Sequence, residues 1–546
     1  MRTLCWWCAT PALVVPSNRP AVRRLVREAL GHESLRPGQE EAILAVLSGR
    51  DTLAVLATGT GKSAIYQAAG VKLPGPTIVV SPLIALQDDQ VDGIEENDTA
   101  PAAALNSTLT QGQREELMQS LGRGEIEFLF VTPEQLARDD VREALQGAAP
   151  SLFVVDEAHC VSEWGQSFRP DYLDLDEAIV AIGRPTILAL TATASPPVRA
   201  EICERLGMKD PALIVHGLDR ANIALEVAWC TSEAERLETL LERFATVNGA
   251  AIIYAATRRR TETVTAALCD SGWTARAYHA GLSARERREV HTEFAEGRLP
   301  IVVATTAFGM GIDKADVRAV FHIDAPGSIE AYYQEIGRAG RDGEASSACL
   351  LFRPEDLAVR RYFASSAGAT PASVKTAADA IASGARTPEA IAEATDLSVA
   401  RARSAIRAIE EAGALRPSGA LRASAIDRAV DSRARRQEYE RSRVEMLRRY
   451  VELRDCRGRF LLEYFGERAA DDCGHCDNCA NAERPRECVP DPSDDAPYPV
   501  QSRVRHAEWG EGSVVRVETD RLTVLFDGAG YRVLALDLVE GRLDRV

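Results

Sequence analysis

Short apolar runs alternate with longer amphipathic stretches through residue 323. One set comprises residues 51–56, TIVV (77–80), EFLFVT (127–132), LFVVD (152–156) and TILALT (186–191). A second comprises AAIIYA (250–255), IVVAT (301–305) and AVFHI (319–323). Continuous apolar runs of this kind predict strands buried on both faces, and the stretches between them predict helical crossovers. Each set is therefore an α/β half built on a parallel sheet. The halves are expected to meet near residues 215–223. Further on, TPEAIAEATDLSVARARSAIRAIEEAGAL has the pattern of a helix-turn-helix. Thr387 caps its first helix before Pro388, Leu397 and Ser398 make the turn, and the second helix carries Arg401, Arg403 and Arg407. RARRQEYERSRVEMLRRYVELRD continues as one long helix, and the Pro- and Asp-rich AERPRECVPDPSDDAPYP is a linker. From residue 500 apolar and polar positions alternate between glycine turns, which predicts a small β-barrel. No run of 18 apolar residues occurs, so no membrane-spanning helix is expected.

Charge narrows the partners. The net charge is −17, which excludes uniform, histone-like binding to nucleic acid. Residues 383–460 nevertheless hold 17 Arg and no Lys against 12 Asp and Glu, +5 there and −22 elsewhere. Contacts to phosphate must be local. Lysine occurs at only five positions, 62, 72, 209, 314 and 375, so Lys62 has a specific reason to be lysine. The 12 cysteines are scattered apart from one tight group near residue 475. That distribution fits a reducing compartment and a metal site better than a disulfide framework. Residues 1–22, with the opening MRTLCWWCATPALVVPS, are expected to be a tail rather than an export signal.

Two segments carry phosphate chemistry. In DTLAVLATGTGKSAIYQAA a strand over 51–56 runs into a glycine loop and then a helix from about Lys62. Backbone N–H groups of such a loop cradle phosphates, Lys62 reaches the β- and γ-phosphates, and Ser63 holds Mg²⁺. Leu56 breaks the long P-loop pattern, leaving the short form from Thr58 through Gly59, Thr60, Gly61 and Lys62 to Ser63. The strand SLFVVDEAH delivers Asp156 and Glu157 at its C-terminal end, where open parallel sheets bind ligands. Asp156 would hold Mg²⁺ through water and Glu157 would orient the attacking water.

Together these motifs resemble the RecQ family of superfamily 2 DNA helicases over residues 30–355. LRPGQEEAI, ATGTGKS, SPLIALQDDQV, VTPE, DEAHCVSEWGQSFRPDY and LALTATA match a first motor lobe in order. IIYAATRRRTE, AYHAGLS, VVATTAFGMGIDKADVR and HIDAPGSIEAYYQEIGRAGRDG match a second. The resemblance implies two RecA-like lobes, at 23–215 and 216–360, with ATP bound between them. It implies that Gln39 reads the adenine edge, that Arg36 stacks on the base, and that His32 stands at a neighbouring aromatic position. Asp313 would help close the nucleotide site. Arg338 and Arg341 would reach across the cleft, with Arg341 favoured as the arginine finger. Trp164, Phe168 and Arg169 fall in the family's aromatic-rich loop, which senses single-stranded DNA beside the hydrolytic Glu157. Gln166 and Ser167 stand where the family has His and an acidic residue, which bears on the strength of that coupling.

The resemblance extends to a RecQ-type zinc module within 431–488. Cys456, Cys473, Cys476 and Cys479 give four thiolates, suited to a closed tetrahedral Zn²⁺ site; His475 and Cys488 are bystanders. Residues 361–430 resemble a winged helix placed before the zinc module rather than after it, with RPSGALRAS as a short wing. After a linker at 489–499, residues 500–546 are similar to the Tudor-like, SH3-like barrel of UvrD-type helicases, a protein-docking element, by analogy for RNA polymerase. The implied function is 3′→5′ ATP-dependent DNA unwinding in repair and recombination, in the bacterial cytoplasm at the nucleoid, on single-stranded and forked DNA, with ATP, Mg²⁺ and Zn²⁺. An RNA helicase and a DNA-bound regulator with a vestigial ATPase are the alternatives.

Overall fold

The structure is a computed structural model that describes residues 18–82, 84–97, 99–162, 172, 174–309, 314–366, 369–414, 423–467, 469, 471–481, 497–500, 502–517, 521–539 and 542–546. The first lobe is a seven-stranded parallel sheet of β1 (Thr52–Leu56), β2 (Thr77–Val80), β3 (Ala102–Leu105), β4 (Phe128–Val131), β5 (Leu152–Val155), β6 (Thr186–Thr191) and β7 (Ala212–His216). Its order is β3-β4-β2-β5-β6-β1-β7. Alternate residues point to opposite faces and both faces are covered. Leu53, Ile78, Leu129 and Phe153 enter one apolar cluster, while Ala54, Val79, Phe130 and Val154 enter another. That double burial is why these strands read as unbroken apolar runs. Helix α1 (Ser63–Gly70) follows the phosphate loop. The helix Arg19–Leu30, capped by the Asn18 side chain, starts inside the stretch expected to be tail, and its Val22 is fully buried in the lobe.

The second lobe is a six-stranded parallel sheet of β8 (Ile223–Trp229), β9 (Ala250–Tyr254), β10 (Ala275–Tyr278), β11 (Ile301–Ala304), β12 (Val317–His322) and β13 (Ser346–Phe352), in the order β10-β11-β9-β12-β13-β8. Helix α2 (Ile329–Ile336) precedes the loop that carries Arg338 and Arg341. The chain passes from one sheet to the other over residues 217–222.

Three helices, α3 (Pro371–Ala382), α4 (Pro388–Ala394) and α5 (Val399–Glu411), form a separate small core with the first turns of α6 (Ala423–Glu452). Thr387 accepts from the Ala390 N–H at 3.1 Å and Ser398 from the Arg401 N–H at 3.3 Å, so both helices of the expected helix-turn-helix are capped. The expected wing lies largely outside the described residues. At 30 residues, α6 is about 45 Å long. Ala425 and Ala429 pack in the three-helix core, whereas Leu447 and Tyr450 join the core of the lobes. Helix α7 (Arg457–Tyr464) follows it.

The C-terminal strands β14 (Arg503–His506), β15 (Gly510–Val517), β16 (Arg521–Phe526), β17 (Gly530–Ala535) and β18 (Leu543–Arg545) pair antiparallel in the order β17-β16-β15-β14-β18. They curl around Val504, Val514, Leu522, Val524 and Phe526. This small sheet is seated on the motor. Tyr531 stacks on Tyr464 at 5.2 Å and on Tyr439 at 6.2 Å between ring centroids. Arg532 reaches Glu438 at 2.5 Å and Arg449 reaches Thr523 at 2.6 Å. A side chain at Gly530 would place its Cβ 2.4 Å from the Ser442 hydroxyl.

Candidate active site between the two sheets

The phosphate loop leaves β1 and turns back through Gly59 (φ +77°) and Gly61 (φ +70°), conformations that favour glycine. Arg36 donates to the Gly59 carbonyl at 2.6 Å. Gln39 donates to the carbonyls of Thr60 and Gly61 at 2.7 and 2.8 Å. Both residues assigned to the base by resemblance thus hold the loop itself; His32 is exposed. Thr60 closes the turn through its hydroxyl to the Ala57 carbonyl at 2.7 Å. The Lys62 ammonium lies 3.4 Å from the Leu56 and Ala57 carbonyls, and Ser63 opens α1. Burial pushes the Lys62 pKa down, while Glu157 and Asp156 oppose that shift.

The sheet order sets β6 between β1 and β5, so the loop, the acidic pair and Thr191 lie along one edge. Glu157 is a non-glycine residue at φ +49°, just past β5. Strained backbone of this kind is expensive and clusters at functional positions. Asp156 accepts from the Glu157 N–H at 2.9 Å. His159, fully buried, stands 3.1 Å from the Thr191 hydroxyl and 3.3 Å from Glu157 Oε2. Burial and the adjacent Glu157 raise Asp156 to about 6. Burial would raise Glu157 as well, but His159, Lys62 and Arg338 bring it down to about 2.

The second lobe closes this edge. Arg341 packs on the phosphate loop, where a Cβ at Gly59 would come within 3.0 Å of its side chain. Arg338, buried, carries its charge toward Glu157 and Tyr254. Lys62, Ser63, Asp156, Glu157, Arg338 and Arg341, drawn from two sheets, therefore gather at one cleft. Trp164, Phe168, Arg169 and Asp313 lie outside the described residues.

Comparison with known proteins agrees with this geometry. The DEAD/DEAH box helicase model matches residues 36–201, the helicase conserved C-terminal domain 233–343, and the RecQ zinc-binding model 420–480. The probable ATP-dependent DNA helicase RecS of Bacillus subtilis is 38% identical over 338 residues, 62% of this chain and 68% of that protein. This chain belongs to the RecQ family of ATP-dependent DNA helicases. The RecQ helicase of the same organism is 33% identical over 461 residues, 84% of this chain and 66% of the relative. The alignments thus span about two thirds of these relatives' own lengths. The helicase MrfA, solved bound to DNA, shares the fold with a TM-score of 0.52 at 18% identity, over 65% of this chain and 50% of that one.

The family's zinc module is formed as a cluster. The sulfur atoms of Cys456, Cys473, Cys476 and Cys479 all lie within 4.8 Å of one another. Cys456 Sγ accepts from the N–H groups of Arg459 (3.3 Å) and Cys473 (3.1 Å), and Cys476 Sγ from those of Arg457 and Cys479 (both 3.4 Å). Such bonds favour thiolates, and four thiolates at this spacing fit a structural zinc ion. A Cβ at Gly458 would come 2.7 Å from Cys473 Cβ, so that position must stay small. Among the described residues no helix is long and apolar enough to cross a membrane.

Sequence reasoning assigned no role to the residues that fasten this module to both lobes. Asp477 accepts from the Val227 N–H on edge strand β8 at 3.0 Å. Glu467 accepts from Gly217 and Leu218 in the connector at 3.1 and 2.8 Å. Arg199, behind the LALTATA segment, donates to the carbonyls of Ala194 and Phe465. Glu330 on α2 takes the Tyr464 hydroxyl at 2.6 Å and Arg443 at 3.3 Å. Only LALTATA gave a signal, as a motif without a role. Arg401, Arg403 and Arg407 are exposed on α5, opposite Ala402, Ala405 and Ile409, which face the core.

Proposed function

We propose that this chain hydrolyses ATP in the cleft between its two sheets and uses the closure of the lobes to move 3′→5′ along single-stranded DNA and part a duplex. The observation that carries the reading is the meeting of Lys62 and Glu157 from one lobe with Arg338 and Arg341 from the other. Lys62 holds the β- and γ-phosphates, and Ser63 and Asp156 would hold a Mg²⁺ ion, which would supply positive charge against the phosphates. Glu157, kept ionised beside His159, orients the attacking water. Arg341, against the phosphate loop, offsets the charge that develops in the transition state. Turnover then requires both lobes, which ties chemistry to movement. Arg36, Gln39, His32 and Asp313 complete the nucleotide site.

The DNA side has two parts in this reading. Trp164 and Phe168 stack on bases and Arg169 pairs with phosphate. Arg401, Arg403 and Arg407 grip duplex phosphate. A protein-docking role for the C-terminal sheet rests on its likeness to the Tudor-like barrel of UvrD-type helicases. The family and the reducing pattern of cysteines support a cytoplasmic, nucleoid-associated enzyme in repair and recombination. The test is ATP turnover with single-stranded DNA, single-stranded RNA or neither. Strong stimulation by DNA and weak stimulation by RNA is the expected result; equal stimulation would favour an RNA helicase, and no turnover with either a regulator.

A further inference from the structure

We infer that Arg220 is a positioning residue for ATP hydrolysis, holding the loop that carries Arg338 and Arg341 in register with the phosphate loop. It lies in the connector between the sheets and belongs to none of the motifs that marked the site. Its guanidinium donates to four backbone carbonyls. Nη1 reaches Gly337 at 3.0 Å and Thr58 at 3.1 Å; Nη2 reaches Ala339 at 2.7 Å and Gly340 at 3.0 Å. Three of these belong to the loop after α2, beginning at its C-cap Gly337, whose carbonyl lies beyond the helix's own hydrogen bonds. The fourth belongs to Thr58, the first residue of the phosphate loop. One side chain therefore binds both walls of the cleft, and two of its contacts, Ala339 and Gly340, lie between the two arginines in sequence.

Asn222 completes the device. Its amide donates to the carbonyls of Gly340 at 2.8 Å and Glu344 at 2.9 Å, and its oxygen faces Arg220 Nε at 3.5 Å. Gly340 sits at φ +53°, and a Cβ there would come 2.4 Å from Asn222 Nδ2. The loop is thus moulded around the Arg220–Asn222 pair. Only a planar fork with several donors can satisfy four carbonyls spread over two loops; a lysine ammonium is a single compact charge. The contact to Thr58 spans the lobes, so it forms with closure and ties the placement of Arg341 to the state of the phosphate loop.

This inference rests on the cleft being the ATP site, and the experiment separates the two. ATP turnover of the full chain is measured at saturating single-stranded DNA for the wild type, Arg220→Ala, Arg220→Lys and Asn222→Ala, together with melting and DNA affinity. Misplacement of a group acting in the transition state costs up to about 100-fold in rate. Arg220→Ala and Arg220→Lys should lose about 10- to 100-fold in kcat, with a smaller change in KM for ATP and unchanged DNA affinity. Asn222→Ala should lose several-fold. Free guanidinium ion should restore part of the kcat of Arg220→Ala and leave the wild type unaffected, which a merely structural role would not produce. A wild type without turnover overturns the ATP-site reading. An active wild type beside an Arg220→Ala variant within twofold of it, or one that melts normally yet is not rescued, overturns this inference alone. If Arg220→Ala melts early, Asn222→Ala decides: normal melting with undiminished kcat overturns it.

Discussion

Replacing Tyr531 by alanine should release the C-terminal sheet from the motor. The ring is 4% exposed and is stacked with Tyr464 (1% exposed) and Tyr439 (2% exposed), so β17, α6 and the segment after Cys456 share it. Deleting a buried aromatic ring costs about 3–5 kcal/mol. Set against a docking equilibrium, that is a shift of roughly two to four orders of magnitude in the ratio of docked to released sheet. Polar contacts remain: Arg532 with Glu438, a partly exposed pair worth less than about 1 kcal/mol, Arg449 with Thr523, and the buried Arg516 of β15 with Glu463 at 3.2 Å. Tyr531→Phe keeps the stack and loses only the hydroxyl, so its effect should stay near about 1 kcal/mol. Hydrogen exchange over residues 436–446 of α6 is the readout. Faster exchange there in Tyr531→Ala, with β14–β16 still protected and Tyr531→Phe close to wild type, is the expected result. Unchanged exchange on α6 in Tyr531→Ala would refute the idea that this ring holds the sheet in place.

Purified protein should contain one zinc per chain by elemental analysis. Cys476→Ser should lower solubility and raise protease sensitivity, because metal-binding energy is folding energy at such a site; a soluble variant with unchanged melting and no metal contradicts this. Arg403→Ala with Arg407→Ala should weaken duplex binding and lower the log–log salt slope by about 1 per arginine, while turnover stimulated by single strands persists; an unchanged slope removes these side chains from the DNA. Asp51 sits at the foot of β1, where burial opposes its charge but Arg184 and the N–H groups of Lys209 and Ile187 hold its pKa below the usual value. Its contribution to stability is therefore present above the ordinary carboxylate range and is lost as pH falls through the lower, folded value, so Asp51→Asn should flatten the acid side of a melting-temperature curve; an identical acid slope contradicts the assignment.

Most central strands were legible because burial on two faces leaves few polar positions to interrupt them; Ser346–Phe352, interior to the second sheet but opening on two serines, was not. The strands that escaped notice have other patterns. Ala102–Leu105 is alanine-rich and reads as well for a helix, and Ile223–Trp229 alternates because it lies at a sheet edge. The nucleotide residues were legible as local motifs, since a phosphate loop and an acidic strand end are contiguous in sequence. Arg220, Arg199, Glu467 and Tyr531 were not. Each acts on backbone or rings far away along the chain, and nothing in its own neighbours marks that contact. The docking of the C-terminal sheet was hidden for the same reason: Tyr531 is buried against α6, far away along the chain.

The most direct test of the account is strand separation by the full chain on a duplex with a 3′ single-stranded tail, a 5′ tail or blunt ends, with ATP and Mg²⁺, for the wild type beside Lys62→Ala and Glu157→Gln. The wild type should unwind the 3′-tailed duplex and leave the blunt one intact. Both variants should fail, with Glu157→Gln still binding ATP and turning it over about 10²–10³-fold more slowly. Unwinding by Glu157→Gln at the wild-type rate, or a wild type that hydrolyses ATP with DNA yet parts none of these duplexes, would contradict the account.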